Sequence, residues 1–434
     1  MKRLYVGTRT AQFYEDSSSR HTHPALIFGD EVEVLGAAEN ERVPVRVRAL
    51  EGFVREVDLM KNPALEIYFI DVGQGDATFI VTPGRKKILI DGGVNRRAMG
   101  FLAWKYRLAD VTRSLEIDLL VLTHADGDHL KGLVPILKHP RINVRKVVHS
   151  GIATFAEGAH ATALGDLDPT KAILLTRHDR LEDLADDRLS ADFGAWRDAL
   201  QAKGCQYRAV DSDSGTLDVG DPQVTIEVLG PRLAEAGAAS GLRWYGSPSK
   251  TINGNSVVLR LNHRAVTVLL AGDLNGPSSD DLLADPSIAA RVDAHVFKAP
   301  HHGSHDFSRE FLAAVAPQVS VISSGDTPDH GHPRASFLGA IGQVSRSETP
   351  LLFSTEIAAS FHEAGGAEGE EGELCDVDAS TADGAARAGL LFKRRLHGMI
   401  NVRTDGSDIY CARRVAAVYY WESYGPLRAV RRGR

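Results

Sequence analysis

The segment LTHADGDHLKG, residues 122–132, carries two histidines and two aspartates within six positions, at His124, Asp126, Asp128 and His129. Imidazole nitrogens and carboxylate oxygens are ligands for Zn, Mn or Fe. The largely apolar run IDLLVL before it predicts a buried strand, and a tight loop after a strand can direct such side chains toward two neighbouring ions. A solvated acidic turn would explain the aspartates but not the interleaved histidines. The segment therefore predicts a metal site.

Other apolar runs of the chain end in the same kinds of residue. These runs are VRKVVHS, VTVLLAGD, VFKAPHHGSH and VSVISSGDTPDHGHP. The residues that follow or end them are His149, Asp273, His301, His302, His305, His330 and His332. Open α/β sheets form their sites at the carboxyl ends of their strands, so we expect these residues to meet at one edge.

Strand and helix patterns alternate between about residues 65 and 355, which predicts a layered α/β architecture. Two segments have the apolar spacing of helices. DHLKGLVPILKH, residues 128–139, is predicted to be one helix. SADFGAWRDALQAKG is predicted to be another, with Ser190 as its N-cap and Gly204 as its stop.

The pattern divides the chain into four parts. Residues 1–62 alternate apolar and polar positions and resemble a bacterial SH3-like β-barrel, which would serve either as a module for a protein or peptide partner or as a structural cap. Residues 63–362 are the predicted catalytic domain, and the acidic, small-residue stretch 363–388 is a predicted linker or disordered loop. Residues 389–434 hold a predicted β hairpin, turning at Asp405 and Gly406, and a basic tail.

Charge and cysteine content exclude some classes of protein. The formal net charge of -7 is unlike that of a dedicated duplex-DNA binder, although metal ions can supply the local positive charge that a phosphodiester needs. The three cysteines, Cys205, Cys375 and Cys411, are far apart and predict no disulfide framework. No run approaches the ~18 apolar residues of a membrane-spanning helix. We therefore expect a cytoplasmic protein that does not enter the membrane.

Seven stretches together resemble the metallo-β-lactamase fold, and most closely the soluble hydrolase domain of ComEC/Rec2-type DNA-uptake proteins. They run from about residue 68 to about 334, in the family's order: FIDVGQGDATFI, ILIDGG, LTHADGDHLKG, NGNSVVLRL, VLLAGDL, KAPHHGS and SSGDTPDHGHP. The resemblance implies an αββα sandwich with two metals between the edges of its inner sheets. Those proteins carry the domain beside membrane-spanning segments, so only the hydrolase chemistry is expected to carry over.

The resemblance also assigns ligands to the two metals. His124 and Asp126 match the first site, where many relatives have a second histidine in place of Asp126. Asp128 and His129 match the second site, and Asp273 matches the carboxylate that bridges the two. The HHGS segment supplies one more ligand, either His301 or His302. His149 stands where other members place a third ligand of the first site, and the alternative is a strand-end histidine bonded to backbone.

Three residues are candidates for catalysis. Asp128 belongs to the metal loop, His332 of the GHP motif is expected to contact substrate or donate a proton, and Lys298 is expected to assist the leaving group. Ser304, His305 and His330 are expected to lie around the ligands. Four residues of the glycine-rich loops are expected to brace those loops rather than bind metal: Asp71, Gln74, Asp76 and Asp91.

The function expected from this site is metal-dependent hydrolysis of a phosphodiester, with nucleic acid as a candidate substrate. Two divalent ions, Zn or Mn, would share a hydroxide that attacks phosphorus. Asp126 in place of a histidine favours oxygen-rich substrates and Mn. One alternative is hydrolysis of another bond, such as a phosphocholine ester, lactone or amide. The other is a regulatory binding protein on a hydrolase scaffold, with the N-terminal module recruiting partners.

Overall fold

A computed structural model describes residues 2–47, 50–184, 188–237, 239–325, 331–356, 398–415 and 420–430. The predicted linker at 363–388 and the candidate residue His330 lie outside the described residues. Among the described residues, we find no helix with the length and apolar character needed to cross a membrane.

The N-terminal part forms a seven-stranded sheet with the strand order β3-β2-β6-β5-β4-β1-β7. Its strands are β1 Arg3–Val6, β2 Thr10–Tyr14, β3 Thr22–Ile27, β4 Glu31–Val34, β5 Arg42–Val47, β6 Leu50–Arg55 and β7 Leu59–Met60. Alternate side chains, among them Val32, Val45 and Val54, form its apolar core. The outer strands β3 and β7 do not pair within the described residues, so no closed barrel forms and the SH3-like barrel is not confirmed. Alternation along a strand shows which side chains turn inward but not which strands pair.

The first half of the hydrolase part alternates strands and helices. Its elements are β8 Leu65–Phe69, β9 Thr78–Val81, β10 Lys87–Ile90, α1 Arg97–Tyr106, β11 Leu115–Leu122, α2 Gly127–Leu130, α3 Leu133–Lys138, β12 Ile142–His149, β13 Ile173–Leu174, α4 Ala191–Lys203 and β14 Gln206–Ala209. Short 3-10 turns occur at Glu56–Asp58, Leu181–Leu184, Ser212–Ser214 and Pro300–Gly303.

The second half also alternates strands and helices, and four strands follow its last described helix. Its elements are β15 Thr225–Gly230, β16 Leu233–Ala236, β17 Ala239–Arg243, α5 Pro248–Gly254, β18 Val258–His263, β19 Val266–Leu270, α6 Gly276–Leu283, α7 Pro286–Ala289, β20 Val296–Lys298, α8 Arg309–Val315, β21 Val319–Ile322, α9 Ala335–Val344, β22 Leu351–Ser354, β23 Ile400–Thr404, β24 Asp408–Val415 and β25 Tyr420–Arg428. Strands β13, β17 and β16 form a small separate sheet.

Two large sheets face each other. One has nine strands in the order β14-β12-β11-β10-β9-β8-β23-β24-β25, and the other has six in the order β15-β18-β19-β20-β21-β22. Apolar side chains of both sheets, such as Phe69 and Val321, form the core between them. Helices α1, α3 and α4 cover the outer face of the nine-stranded sheet, and helices α6 to α9 cover that of the six-stranded sheet. The layers are therefore α, β, β and α, as predicted.

Local sequence signals account for one helix and not for another. Helix α4 begins after Ser190, whose hydroxyl accepts a hydrogen bond from the Phe193 amide, and it ends at Gly204 in the left-handed conformation, as predicted. The segment predicted as one helix at 128–139 is instead two, α2 and α3, separated at Gly132. A Cβ at that position would lie 1.9 Å from the Gly92 carbonyl oxygen, so the break brings two loops into direct contact.

The predicted C-terminal hairpin exists but does not stand alone. Strands β23 and β24 pair antiparallel around the turn, with Thr404 opposite Ile409. Strand β23 also pairs along its whole length with β8, from Ile400 opposite Phe69 to Thr404 opposite Leu65. The hairpin and β25 therefore complete the nine-stranded sheet of the hydrolase part.

Candidate metal centre

Four polar residues follow strands of the two large sheets and meet between them. Asp91 follows β10 and His124 follows β11, which are parallel neighbours in the nine-stranded sheet. Asp273 follows β19 and His302 follows β20, which are parallel neighbours in the six-stranded sheet. All four side chains are buried. The carboxyl ends of parallel strands lie at one edge of a sheet, so the two sheets bring their polar residues together there.

The tightest part of the cluster contains two histidines and two aspartates. Nε2 of His302 lies 3.1 Å from Oδ2 of Asp273 and 3.4 Å from Oδ2 of Asp128. Nε2 of His129 lies 3.5 Å from the same Asp273 oxygen and 4.0 Å from Oδ1 of Asp128. One ligand atom from each of Asp76, His129, Asp273 and His302 lies within 4.8 Å of the others. These separations suit donors that share a cation.

The hydrogen bonds of the histidines leave one ring nitrogen of each for a ligand. Nδ1 of His129 is bonded to Oδ2 of Asp91 at 2.8 Å, and Nδ1 of His302 to the Ser323 carbonyl at 2.9 Å. Nδ1 of His124 lies 3.0 Å from the Thr123 hydroxyl. The Nε2 atoms of His124, His129 and His302 are buried without a hydrogen-bond partner. An unpaired buried nitrogen is costly unless a cation binds it, so the site fits a divalent metal.

When no cation is bound, protons on the histidine rings supply positive charge to the cluster. Burial disfavours the imidazolium of His302, but Asp273 and Asp128 outweigh it and raise the pKa of His302 to about 10. The pKa of His129 is raised in the same way, against burial, by Asp273 and Asp91. Burial and the nearby Asp128 raise the pKa of Asp126 to about 7. The cluster therefore has an excess of carboxylate charge that a metal can neutralise.

A family model described as the metallo-beta-lactamase superfamily matches residues 70–326, more than half of the chain. The chain belongs to the metallo-β-lactamase superfamily. The matched residues run from the end of β8 to the loop after β21 and include the entire His/Asp cluster. The chain therefore has the fold of a metal-dependent hydrolase, with a His/Asp cluster that could hold a metal.

Curated relatives are similar at low identity. ComE operon protein 3 of Bacillus subtilis (strain 168) is 23% identical over 290 residues, covering 63% of this chain and 30% of that protein. Competence protein ComA of Neisseria gonorrhoeae is 27% identical over 295 residues, covering 67% of this chain and 31% of that protein. The chain thus spans less than a third of the length of either relative. Zn(2+)-bound PqqB from Methylobacterium extorquens is a similar solved structure, with 10% identity and a TM-score of 0.35, covering 66% of this chain and 86% of that one.

His124 and Asp126 are the two residues expected at the first metal. Nε2 of His124 lies 3.8 Å from Oδ2 of Asp126, whose side chain is 34% exposed. The structure does not bring His149 to them. Its ring packs against Trp196 and Tyr207, and its Nδ1 accepts a hydrogen bond from the Gly151 amide at 3.1 Å. Strand β12 directs His149 toward helix α4, and its Nδ1 has the backbone hydrogen bond of the second alternative.

The HHGS segment contributes His302 to the cluster and turns His301 aside. Both residues have a positive φ, of 47° and 52°, so consecutive rings point in different directions. Nε2 of His301 lies 3.4 Å from Nδ2 of Asn253. The ring of His332 stacks on that of His302, with centroids 6.2 Å apart. His332 therefore lies beside His302.

The other two residues predicted around the ligands differ in burial. Ser304 is buried and accepts a hydrogen bond from the Asp306 amide at 3.3 Å. His305 is exposed. Ser304 thus supports the loop after β20, and His305 points to solvent.

Lys298 has a different place from the one expected. Its ammonium is buried, donates to Asp76 and to the Gly272 carbonyl at 3.0 Å, and lies 3.6 Å from Oδ1 of Asp273. Burial lowers the pKa of Lys298, but Asp76 and Asp273 outweigh it and raise it. A buried ammonium held by two carboxylates is a poor proton donor. Lys298 therefore orients these carboxylates, and Asp76 joins the cluster as well as bracing its loop.

The glycine-rich loops hold the metal loop in place. Asp91 accepts hydrogen bonds from the Thr123 amide at 2.8 Å and the Thr123 hydroxyl at 2.7 Å, in addition to that from His129. Asp71 accepts from the Gly73 amide and pairs with Arg97. A Cβ at Gly75 would lie 2.0 Å from the Asp128 carbonyl oxygen, so only glycine allows the two loops to touch. Asp71 and Asp91 thus have the bracing contacts expected of them.

Sequence reasoning missed Ser256. Its hydroxyl accepts a hydrogen bond from the Asp273 amide at 3.0 Å and lies 3.4 Å from Nδ1 of His124. It donates to the Asn253 carbonyl at 2.8 Å. Ser256 therefore links ligands from the two sheets. The signal was the polar NGNS run directly before strand β18.

Proposed function

We propose that this chain is a two-metal phosphodiesterase that cleaves nucleic acid. The observation that carries the proposal is the cluster of inward-facing nitrogens, on His124, His129 and His302, around the shared carboxylate of Asp273. His129, His302 and Asp128 would hold one divalent ion, and His124 and Asp126 the other. Asp273 would serve both.

The donor set supports oxygen-rich chemistry. Three of the six donors are carboxylates, which suit Mn or Zn with a phosphate oxygen as a further ligand. When bound, the ions would lower the pKa of a water molecule and stabilise the negative charge that develops on phosphorus. The resemblance to DNA-uptake proteins supports a phosphodiester of nucleic acid as the substrate.

The side chains around the ligands have separate roles in this proposal. Lys298 holds the carboxylates of Asp76 and Asp273 in place, since its ammonium contacts both. Asp91 holds the ring of His129 through Nδ1. His332 lies beside His302 at the margin of the cluster and would hold or release a proton at the leaving oxygen.

The test is a cleavage assay on the purified chain loaded with Mn or Zn. Single- and double-stranded DNA, RNA and bis-p-nitrophenyl phosphate are compared, with His302→Ala as the inactive variant. His305→Ala is the matched control, because His305 follows the same strand but is exposed. We expect cleavage by the wild type and by the control, and loss of at least about 100-fold in the His302 variant. Bound metal without cleavage of any of these substrates, or faster turnover of an ester, lactone or amide, would contradict the proposal.

A further inference from the structure

A groove lies between two segments that each follow a residue of the candidate metal centre in sequence. Its volume is about 520 Å³, and its lining residues are Val94, Asn95, Arg96, Lys131, Val134, Pro135 and Lys138. One wall follows Asp91, and the other follows His129. The backbone ties the walls together, because the Gly132 amide donates to the Gly93 carbonyl at 2.8 Å.

One residue that lines the groove, Lys131, lies beside the exposed part of the candidate metal site. Asp126 and Asp128, with side chains 34% and 26% exposed, are the ligands that reach the surface. The side chain of Lys131 lies against Gly127, between these two aspartates, since a Cβ at Gly127 would be 2.9 Å from Cε of Lys131. Lys138 lies at the other end of helix α3 and is exposed. A chain leaving the metal centre along the groove would pass both lysines.

The charge of the groove is opposite to that of the whole molecule. Its lining contains three cationic side chains and no carboxylate, in a chain with a formal net charge of -7. The ammonium of Lys131 is 3.1 Å from Asp192, an exposed pair of low energy. Lys138 has no ion-pair partner among the described residues. Local positive charge of this kind attracts a polyanion.

The floor of the groove adds an apolar component. Val94 is 39% exposed. Val134 and Pro135, which belong to helix α3, line the same groove. A duplex presents mainly phosphates to such a surface, whereas an unpaired strand can also place its sugars and bases against apolar groups. The combination of cationic walls and apolar floor therefore favours a single strand.

We propose that this groove binds a single-stranded nucleic acid and guides its backbone to the metal centre. The inference deepens the proposed function and rests on it for the fate of the strand, but binding in the groove can be measured without cleavage. Lys131 and Lys138 would each contact one phosphate. Val94, Val134 and Pro135 would contact the nucleosides between them.

The experiment measures binding of fluorescein-labelled oligothymidylate by anisotropy across a salt series. The Lys131→Gln/Lys138→Gln variant is compared with the unchanged lysines, both in an Asp128→Ala background that prevents cleavage. Loss of two phosphate contacts is expected to make the slope of log affinity against log salt shallower by about 1.4. The matched control is Lys2→Gln/Lys61→Gln, which removes the same charge from exposed positions of the N-terminal sheet and is expected to leave the slope unchanged.

Each outcome bears on the groove separately from the chemistry. An unchanged slope in the Lys131/Lys138 variant, or an equal change of slope in the control, would overturn the proposal that this groove binds nucleic acid. Equal affinity for a duplex of the same length would overturn the preference for a single strand. The single variant Lys138→Glu should by itself weaken binding of the oligothymidylate. It serves as a second test in case the double variant does not fold. If the wild type binds oligothymidylate through these lysines but cleaves no phosphodiester, the groove stands and the proposed reaction fails.

Discussion

Oδ2 of Asp91 accepts a hydrogen bond from Nδ1 of His129 at 2.8 Å, so a carboxylate from one loop orients a metal-facing imidazole on the next. Asp91 occupies a left-handed conformation, with φ of 58°, and its two oxygens also accept two hydrogen bonds from Thr123. Each of these three hydrogen-bond partners donates to the carboxylate. An aspartate is therefore the residue that satisfies this position.

Asp91→Asn is expected to weaken metal binding about 10- to 100-fold, because an amide NH2 group replaces one carboxylate oxygen and then faces a hydrogen-bond donor. Competition with a chromophoric chelator measures the affinity. Asp198→Asn, at an exposed position of helix α4, is the control and should bind metal as wild type does. Equal affinity in the two variants would show that Asp91 does not orient His129.

The two halves of the site are expected to bind metal unequally. His129, His302 and Asp128 surround one side of Asp273, whereas the other side has His124 and the partly exposed Asp126. We expect dialysis to leave one ion per chain, with a second that binds only at higher free metal. Elemental analysis and calorimetry measure the stoichiometry.

Histidine variants separate the halves further. His302→Ala should lose the tightly bound ion, and His124→Ala only the weak one. His149→Ala should lose neither, because its ring lies against Trp196 and Tyr207. Two ions of equal affinity, or metal loss in the His149 variant, would contradict this arrangement.

Metal affinity is expected to rise with pH. The pKa of His302 is about 10 and that of His129 is raised, so both rings carry protons at neutral pH in the metal-free protein. A metal binds the neutral ring, so metal binding releases these protons. At pH values below the pKa of a ring, the metal affinity therefore rises about tenfold per pH unit for each proton released. Calorimetry in buffers of different ionisation enthalpy counts the protons. His302→Ala should release one fewer, and a pH-independent affinity would refute the prediction.

Arg403 is expected to hold the N-terminal sheet to the hydrolase part. It lies on β23, is buried, and pairs with Asp30 at 2.8 Å, with a further contact to Glu66 at 3.6 Å. Arg403→Met removes the cation that pairs with Asp30, whereas Glu66 keeps its contact with Lys105, so it should lower the free energy of unfolding by about 3–5 kcal/mol. Urea unfolding measures the change. Arg413→Met, which breaks an exposed pair with Glu422, should cost about 1 kcal/mol or less.

Local sequence patterns were sufficient for much of the fold and part of the site. The apolar strands, the cap at Ser190 and the stop at Gly204 depend on neighbours within a few positions. The loop at 124–129 was recognisable because its spacing brings four ligand types together in any conformation of a tight turn. The order of the seven motifs then indicated the layers.

Tertiary structure decided which side chains meet. The directions of His149, His301 and His302 depend on strand β12 and on backbone angles that no spacing encodes. Lys298 became a partner of Asp76 across 222 positions of sequence. The open N-terminal sheet and the pairing of β23 with β8 likewise depend on contacts between distant segments. Periodicity reports the environment of each residue, but the identity of its partner is set by the energy of packing the whole chain.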